Sequence, residues 1–298
     1  MYGAIIGDIA GSTLEFRGKK SRDFPFFITG SDITDDTIMT IAVAKALMQW
    51  REKGGDLHEL MRRNMRALGR KYPYPLGAYG SNFAMWLESD NPKPYNSYGN
   101  GSAMRVSSAG WLFDTPEETR RMARLTAEVT HNHPEGIKGA EAAASAVFLA
   151  RTGHSKDELR GYIVREFGYD LSRTCDEIRP AYCHNETCQK TVPEALTAFL
   201  EGTDFEDVIR TAVSLGGDCD TLTCIAGSIA EAFYGVPEPL KDVCRSRLPK
   251  DMLDVLCRFD IFRAHGHDAV SDPRGQSFLL TKDHSKPLLQ TSKEGSAQ

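Results

Sequence analysis

Apolar residues recur every three or four positions along most of the chain, and this spacing predicts helices. The clearest case is residues 134–151, where Ile137, Ala140, Ala144 and Phe148 fall on one face of the predicted helix behind Pro134, a residue suited to a first helical turn. Similar patterns predict helices over residues 3–15, 35–50, 57–68, 77–87, 117–129, 192–200, 204–215, 221–233 and 251–262. The alternating pattern typical of strands is nearly absent, so we expect an all-α protein.

Helix start signals and loop composition refine this picture. Asp114 with Glu117, and Ser155 with Glu158, have the spacing of capping boxes, and each pair precedes a periodic apolar segment. No Pro-, Gly- or Ser-rich linker divides residues 1–270. We therefore expect a single compact multi-helix bundle over residues 1–270. Residues 271–298 are polar and aperiodic and are predicted to form a flexible C-terminal tail.

Composition places the chain among soluble globular proteins, because 41% of its 298 residues are hydrophobic and 26% are charged. Lys and Arg total 36 against 41 Asp and Glu, and the net charge of -5 argues against a broad nucleic-acid-binding surface. No apolar run reaches the roughly 18 residues that a membrane span needs. The first residues lack the cationic segment of a secretory signal, and seven cysteines are an odd number for a disulfide framework. We expect a cytoplasmic, monomeric protein with free thiols.

Acidic residues interrupt the apolar pattern at three places. Asp8 and Glu15 lie about two turns apart on the first predicted helix, on a stripe that also carries Gly11 and Ser12. A solvated face explains such a stripe as well as a functional site does.

Two aspartate doublets, each next to a threonine, open predicted helices. They are Thr34-Asp35-Asp36-Thr37 and Asp218-Cys219-Asp220-Thr221. A helix cap explains one carboxylate in each doublet but not two. Short carboxylate and hydroxyl side chains at rigid helix ends suit Mg²⁺ or Mn²⁺, and the four negative charges would be balanced by two divalent ions.

A glycine-rich loop and two histidines lie between the doublets. Gly99 and Gly101 permit close backbone approach to a diphosphate, although a plain Asn-Gly turn is an alternative. His131 and His133 follow a predicted helix, where a histidine can also be a simple partner of the helix dipole. A zinc site is a further alternative for one group whose spacing matches no standard finger: Cys175, Cys183, His184 and Cys188.

Taken together, these motifs resemble the ADP-ribosylglycohydrolases, which include the dinitrogenase reductase-activating glycohydrolase and the eukaryotic ADP-ribosyl-arginine and ADP-ribosyl-serine hydrolases. The resemblance is collinear over roughly residues 1–235. It rests on Gly7-Asp8 through Glu15, Thr34 to Thr37, Gly99 to Arg105, Thr130-His131, Val192-Pro-Glu-Ala-Leu196 and Ser214 to Thr221.

The resemblance implies the ADP-ribosylglycohydrolase fold and hydrolysis of the bond between ribose C1″ of ADP-ribose and an acceptor, at a centre of two Mg²⁺ or Mn²⁺ ions. The implied metal ligands are Thr34, Asp35, Asp36, Asp218, Asp220 and Thr221. Glu15, Asp35 and Asp36 would act in catalysis, with Glu15 the candidate for proton transfer. The implied substrate-binding residues are Ser97, Tyr98, Gly99, Asn100, Gly101, Ser102, Met104 and His131.

The acceptor is open, since residues 72–96 match no motif of the family and such loops tend to carry specificity. The Ser-Tyr-Gly-Asn-Gly form of the loop favours the branch that cleaves ADP-ribosyl-serine and O-acetyl-ADP-ribose. Expected partners are ADP-ribose and ADP-ribosylated proteins or small molecules. No membrane partner is expected, and a nucleic acid is expected only as an ADP-ribosylated end. A non-catalytic ADP-ribose-binding protein and a two-metal nucleotide-diphosphate phosphohydrolase are alternatives.

Overall fold

Helices joined by short loops make up the computed structural model, which describes residues 1–14 and 20–265. Within these residues the only β-type pairings are isolated bridges, from Thr34 to Leu76 and from Gly99 to Thr187. The prediction of an all-α fold is confirmed. The helices are Tyr2–Gly11 (α1), Asp35–Lys53 (α2), Leu57–Lys71 (α3), Ser81–Glu88 (α4), Gly101–Met104 (α5), Ser107–Leu112 (α6), Pro116–Glu128 (α7), Pro134–Arg151 (α8), Lys156–Phe167 (α9), Cys175–Ile178 (α10), Cys188–Glu201 (α11), Phe205–Leu215 (α12), Cys219–Tyr234 (α13), Glu238–Arg247 (α14) and Lys250–His265 (α15).

Three helices form the centre of the molecule because they are apolar or small on nearly every side. Every residue of α1 is buried, as are most residues of α8 and of α13 up to Glu231. α13 packs against α1, α8, α11 and α12, while α8 also contacts α5, α6 and α7. Helices with one charged face, such as α3 and α7, lie outside this centre. The N-termini of α2 and α13 and the loop before α5 are thereby held around one buried point.

Several helix ends differ from the sequence-based prediction. The predicted helix 3–15 ends at Gly11, and the predicted helix 77–87 begins only at Ser81. Gly77 and Ala78 have φ of 80° and 66°, a left-handed conformation that delays the helix. α11 starts at Cys188, one turn before the predicted residue 192, and carries Pro193 inside. The prediction missed the short helices α5, α6 and α10, and also α14.

The two predicted capping boxes have different outcomes. Ser155 and Glu158 form a complete capping box at the start of α9. The prediction for Asp114 and Glu117 is wrong by one residue, because Thr115 is the N-cap of α7 and accepts from the backbone N–H of Glu118. Pro116 fits the first position of this helix, where no backbone donor is needed.

Replacing Ser155 by Ala is expected to lower the free energy of unfolding by about 1 kcal/mol, the usual loss for an N-cap hydroxyl. The Ser155 side chain accepts from the Glu158 N–H, and the Glu158 carboxylate accepts from Ser155 in return. Urea denaturation of wild type, Ser155→Ala and Ser155→Thr measures the effect. Ser155→Thr should retain most of the stability, because Thr also caps helices. Equal denaturation midpoints for Ser155→Ala and wild type would contradict the capping assignment.

Two predictions fall on residues that are not part of this description: the tail 271–298 and Glu15 lie outside the described residues. In the part of the chain that is described, no helix has the length and apolar character needed to cross a membrane.

Candidate active site: an acidic centre beside a glycine loop

Carboxylates from three helices converge at one buried point. Asp8 comes from α1, Asp36 from the start of α2 and Asp220 from the start of α13, and one carboxylate oxygen of each lies within 4.8 Å of the others. All three side chains are buried. The interpretation of Asp8 as part of a solvated stripe is wrong, because α1 is enclosed on all sides and turns this face toward α2 and α13.

Asp8 is anchored by four hydrogen bonds from the start of α2. Thr34 donates through its backbone N–H at 3.0 Å and its hydroxyl at 2.8 Å. Thr37 donates through its N–H at 3.1 Å and through its hydroxyl. Burial nevertheless raises the pKa of Asp8 to about 6. This side chain therefore fixes α1 to α2, a role that sequence reasoning did not assign to it.

The carboxylate of Asp36 is only partly compensated by hydrogen bonds. Its Oδ2 accepts from the Thr221 hydroxyl at 3.3 Å and lies 3.3 Å from the Thr34 hydroxyl, whose hydrogen points to the closer Asp8. Its buried Oδ1 has no hydrogen-bond partner among the described residues. Burial and the nearby charges of Asp8, Asp35 and Asp218 raise the pKa of Asp36 well above its ordinary value. A buried oxygen without a donor, among several carboxylates, is the environment that a divalent cation would complete.

The remaining predicted metal ligands surround this centre. Asp35 is half-buried, while Asp218, Asp220 and Thr221 are each about 5% exposed or less. Helix capping does not explain the doublets: Thr34 is the N-cap of α2, and the Asp218 side chain makes no capping hydrogen bond to α13.

The glycine loop is tied directly to the acidic centre. The Asn100 side-chain amide donates to Asp218 Oδ2 at 2.6 Å and to the Thr191 hydroxyl at 3.0 Å. The Asn100 backbone N–H also donates to the carbonyl of Glu186 at 2.7 Å. A plain Asn-Gly turn would not require a buried Asn side chain with these partners, so the structure favours a site over a simple turn.

A cavity of about 460 Å³ opens beside the acidic centre and the loop. Most of the predicted substrate-binding residues line it, and these are Ser97, Gly99, Asn100, Gly101, Met104 and His131. Two others do not. Ser102 is buried and donates to the Gly136 carbonyl at 2.7 Å, while Tyr98 packs edge-on against His133, with ring centroids 5.3 Å apart. The Ser102 side chain therefore joins the loop to α8, whereas the half-exposed Tyr98 ring packs on His133.

The two histidines have separate positions. His131 is 5% exposed and lines the cavity, and burial together with the charge of Arg105 lowers its pKa well below the ordinary value. His133 is the N-cap of α8, where its Nδ1 accepts from the Glu135 N–H at 3.1 Å. The dipole-partner interpretation at a helix C-terminus is therefore wrong for His133.

Sequence reasoning missed part of the cavity wall. The segment from Gly77 to Phe83, which leads into α4, also lines the cavity, as do Tyr95, Arg105 and Glu186. The only sequence signal for this wall was that residues 72–96 match no family motif. Tyr79 is held there by a hydrogen bond from its hydroxyl to the Tyr72 carbonyl at 2.9 Å.

The structure gives no support to zinc at the cysteine and histidine group. Among the described residues, the only cluster of three or more potential ligand side chains is that of Asp8, Asp36 and Asp220. Cys175 and Cys188 are buried, whereas Cys183 is exposed.

Comparison with known proteins places this all-helical fold, with its buried carboxylate centre beside a glycine loop, in a family of glycohydrolases. The ADP-ribosylglycohydrolase family model matches residues 1–270, so the chain belongs to this family.

Three individual relatives have sequence identities to this chain between 24% and 30%. The chain is 30% identical to human "ADP-ribosylhydrolase ARH3" over an alignment that covers 53% of this chain and 56% of that protein. It is 25% identical to "ADP-ribosylarginine hydrolase Tri1" of Pseudomonas putida, over an alignment that covers 79% of this chain and 70% of that protein. A solved structure titled "ADP-ribosylglycohydrolase-related protein complex" superimposes with a TM-score of 0.59 at 24% identity, covering 88% of this chain and 94% of that one. This last likeness supports the fold alone.

Proposed function

We propose that the protein hydrolyses the bond between ribose C1″ of ADP-ribose and an acceptor, releasing free ADP-ribose, with two Mg²⁺ or Mn²⁺ ions as cofactors. The observation that carries the proposal is the convergence of Asp8, Asp36 and Asp220 beside a cavity lined by the glycine loop. Membership of the ADP-ribosylglycohydrolase family supports the substrate class.

The donor set fits hard divalent cations. The ions would be held by Thr34, Asp35, Asp36, Asp218, Asp220 and Thr221, and the partnerless Asp36 Oδ1 is an oxygen that such an ion would satisfy. Asp8, buried within the same cluster, is an additional candidate. When bound, the ions would polarise a ribose oxygen and lower the pKa of a bound water.

The protein's own residues would bind and orient the substrate. The glycine loop would contact the diphosphate, because Gly99 and Gly101 line the cavity and carry no side chain between the backbone and a ligand. Asn100 holds Asp218 in a fixed orientation through its side-chain amide. The segment from Gly77 to Phe83 faces the same cavity and would contact the acceptor. Cleavage of a ribosyl bond also needs proton transfer to or from the reacting groups, for which Glu15 is our candidate.

As the acceptor we favour a serine side chain or the acetyl group of O-acetyl-ADP-ribose, on the basis of the Ser-Tyr-Gly-Asn-Gly form of the loop. The similarity to a protein named as an ADP-ribosylarginine hydrolase makes arginine the necessary comparison. We further propose that the active form is a cytoplasmic monomer.

Product analysis by mass spectrometry tests the proposal. The purified protein is incubated with Ser- and Arg-ADP-ribosylated peptides and with O-acetyl-ADP-ribose, in Mg²⁺, in Mn²⁺ and in EDTA. We expect free ADP-ribose, and a fall in rate of at least ~1000-fold on metal removal. Asp35→Asn should behave like EDTA, while Asp242→Asn, an exposed carboxylate on α14, should retain wild-type rates.

The alternatives give different products. AMP or phosphate in place of intact ADP-ribose would favour a nucleotide-diphosphate phosphohydrolase. Measurable ADP-ribose binding without release from any of the three substrates would favour a binding protein. Equal rates in EDTA and Mg²⁺ would contradict the proposed metal centre.

A further inference from the structure

Arg105 is a buried cation for which the described residues show no direct salt bridge to a carboxylate, although the charge of Asp35 acts on it. It follows α5, is 1% exposed and lines the cavity. Its Nη2 donates to the Thr130 hydroxyl at 2.7 Å and to the Thr126 carbonyl at 3.5 Å, while its buried Nε has no partner in the described part of the chain. Burial lowers the pKa of Arg105 to about 10, so it stays charged at neutral pH. Burying a charge costs free energy that hydrogen bonds and neighbouring charges must offset.

The Thr130 hydroxyl connects Arg105 to His131. A guanidinium can only donate hydrogen bonds, so the hydroxyl oxygen accepts from Arg105. The same oxygen lies 2.7 Å from His131 Nδ1. The Tyr95 side chain also interacts with this hydroxyl. Donation of the hydroxyl hydrogen to Nδ1 leaves the two lone pairs of the oxygen to accept from Arg105 and from the Tyr95 hydroxyl, whereas an N–H at Nδ1 would add a further positive dipole beside the guanidinium. The favoured arrangement leaves Nδ1 as the acceptor and the ring proton on Nε2.

His131 Nε2 faces the glycine loop. A Cβ atom placed on Gly99 or Gly101 would lie 3.5 Å or 3.3 Å from Nε2, so the imidazole occupies the space that side chains at these positions would need. Nε2 forms no hydrogen bond with any of the described residues, and His131 lines the cavity. The oxygens of a diphosphate only accept hydrogen bonds, so a donor at Nε2 is the complement that such a ligand requires.

We infer that Arg105 and Thr130 are positioning residues that hold His131 in the Nε2–H tautomer, with that N–H directed at a diphosphate oxygen of the ligand on the glycine loop. The identity of the ligand as ADP-ribose rests on the proposed function. The tautomer rests on the contacts of the Thr130 hydroxyl with Arg105, His131 and Tyr95, and not on the identity of the ligand.

The first test is the tautomer itself, read from long-range ¹H–¹⁵N NMR of the His131 ring in wild type. We expect a protonated Nε2 and an unprotonated Nδ1 at pH 7, with and without ADP-ribose. A proton on Nδ1 would overturn the inference whatever the protein's activity is.

The second test compares Thr130→Val with Thr130→Ser by calorimetric titration with ADP-ribose and with adenosine, which lacks the diphosphate. Thr130→Val should weaken ADP-ribose binding about tenfold, the usual effect of losing one hydrogen bond, and leave adenosine binding unchanged. Thr130→Ser should keep wild-type affinity because it retains the hydroxyl. The matched control is Thr119→Val on α7, a buried threonine whose hydroxyl has no partner.

Equal ADP-ribose affinity for Thr130→Val and wild type would contradict the relay. So would an equal loss of ADP-ribose and adenosine affinity, which is the result of a general structural change. A wild-type protein that does not bind ADP-ribose would overturn the proposed function instead, while the NMR measurement would still decide the tautomer.

Discussion

Replacing Asp36 by Asn is expected to reduce ADP-ribose release roughly 1000-fold, which corresponds to about 4 kcal/mol of transition-state stabilisation. Asn has nearly the shape of Asp and keeps an oxygen that can accept from the Thr221 hydroxyl. It removes the charge that would hold the cation. Because the pKa of Asp36 is raised by burial and by neighbouring carboxylates, loss of this charge relieves repulsion in the metal-free protein.

The same substitution therefore has two opposite expected effects. Activity and metal-induced stabilisation should disappear, whereas the metal-free protein should unfold at the same or a higher temperature than wild type. Initial rates measure the activity, and thermal unfolding measures the stability, each with and without Mg²⁺. A metal-free Asp36→Asn protein much less stable than wild type would show that Asp36 is mainly structural.

A matched control is available at another helix start. Asp56 is the N-cap of α3 and accepts from the N–H groups of His58 and Glu59. Asn caps helices about as well as Asp, so Asp56→Asn should preserve stability and activity. Equal losses in Asp56→Asn and Asp36→Asn would indicate a general sensitivity to Asp→Asn changes instead of a metal site.

The sequence predicted the helices well where periodicity and local chemistry agree. Residues 134–151 were predicted to the residue, because Pro134 and a continuous apolar face define the helix locally. The error at Gly77 has a different origin: an apolar pattern does not reveal that Gly77 and Ala78 adopt positive φ. Such a conformation is fixed by the surrounding structure and not by hydrophobic spacing.

The candidate site was predictable only in part, for a related reason. The doublets at residues 35–36 and 218–220 stand out because two carboxylates exceed what a cap needs. Asp8 was ambiguous, since a charge on a helix stripe is equally consistent with solvent until the neighbours of α1 are known. The contact from Asn100 to Asp218 joins residues 118 positions apart and leaves no local pattern. Glu15, assigned by resemblance, lies outside the described residues.

Packing of α1 on α13 brings Asp8 to Asp220, and Gly7 makes this close approach possible. Gly3, Gly7 and Gly11 lie at four-residue steps along α1. A Cβ on Gly7 would lie 2.1 Å from the Thr223 carbonyl oxygen, and one on Gly11 would lie 2.5 Å from the Asp220 Cα. The Thr223 hydroxyl donates to the Gly7 carbonyl at 2.6 Å. These contacts join two backbones, so rotation of a side chain cannot relieve a clash.

Gly7→Ala is therefore expected to destabilise the protein by about 3 kcal/mol or more, at the upper end for overpacking of a core. It should also weaken metal binding, because separating α1 from α13 moves Asp8 away from Asp220. Urea denaturation measures the loss of stability, and calorimetric titration with Mn²⁺ measures the loss of metal affinity.

The control is Gly161→Ala on α9, where nothing lies within 4 Å of the added Cβ. There the better helix propensity of Ala should stabilise the protein by up to about 1 kcal/mol. A Gly7→Ala protein with wild-type stability would show that α1 and α13 are not packed this closely. If Gly7→Ala lost stability but kept wild-type Mn²⁺ affinity, the acidic centre would not depend on the spacing of these two helices.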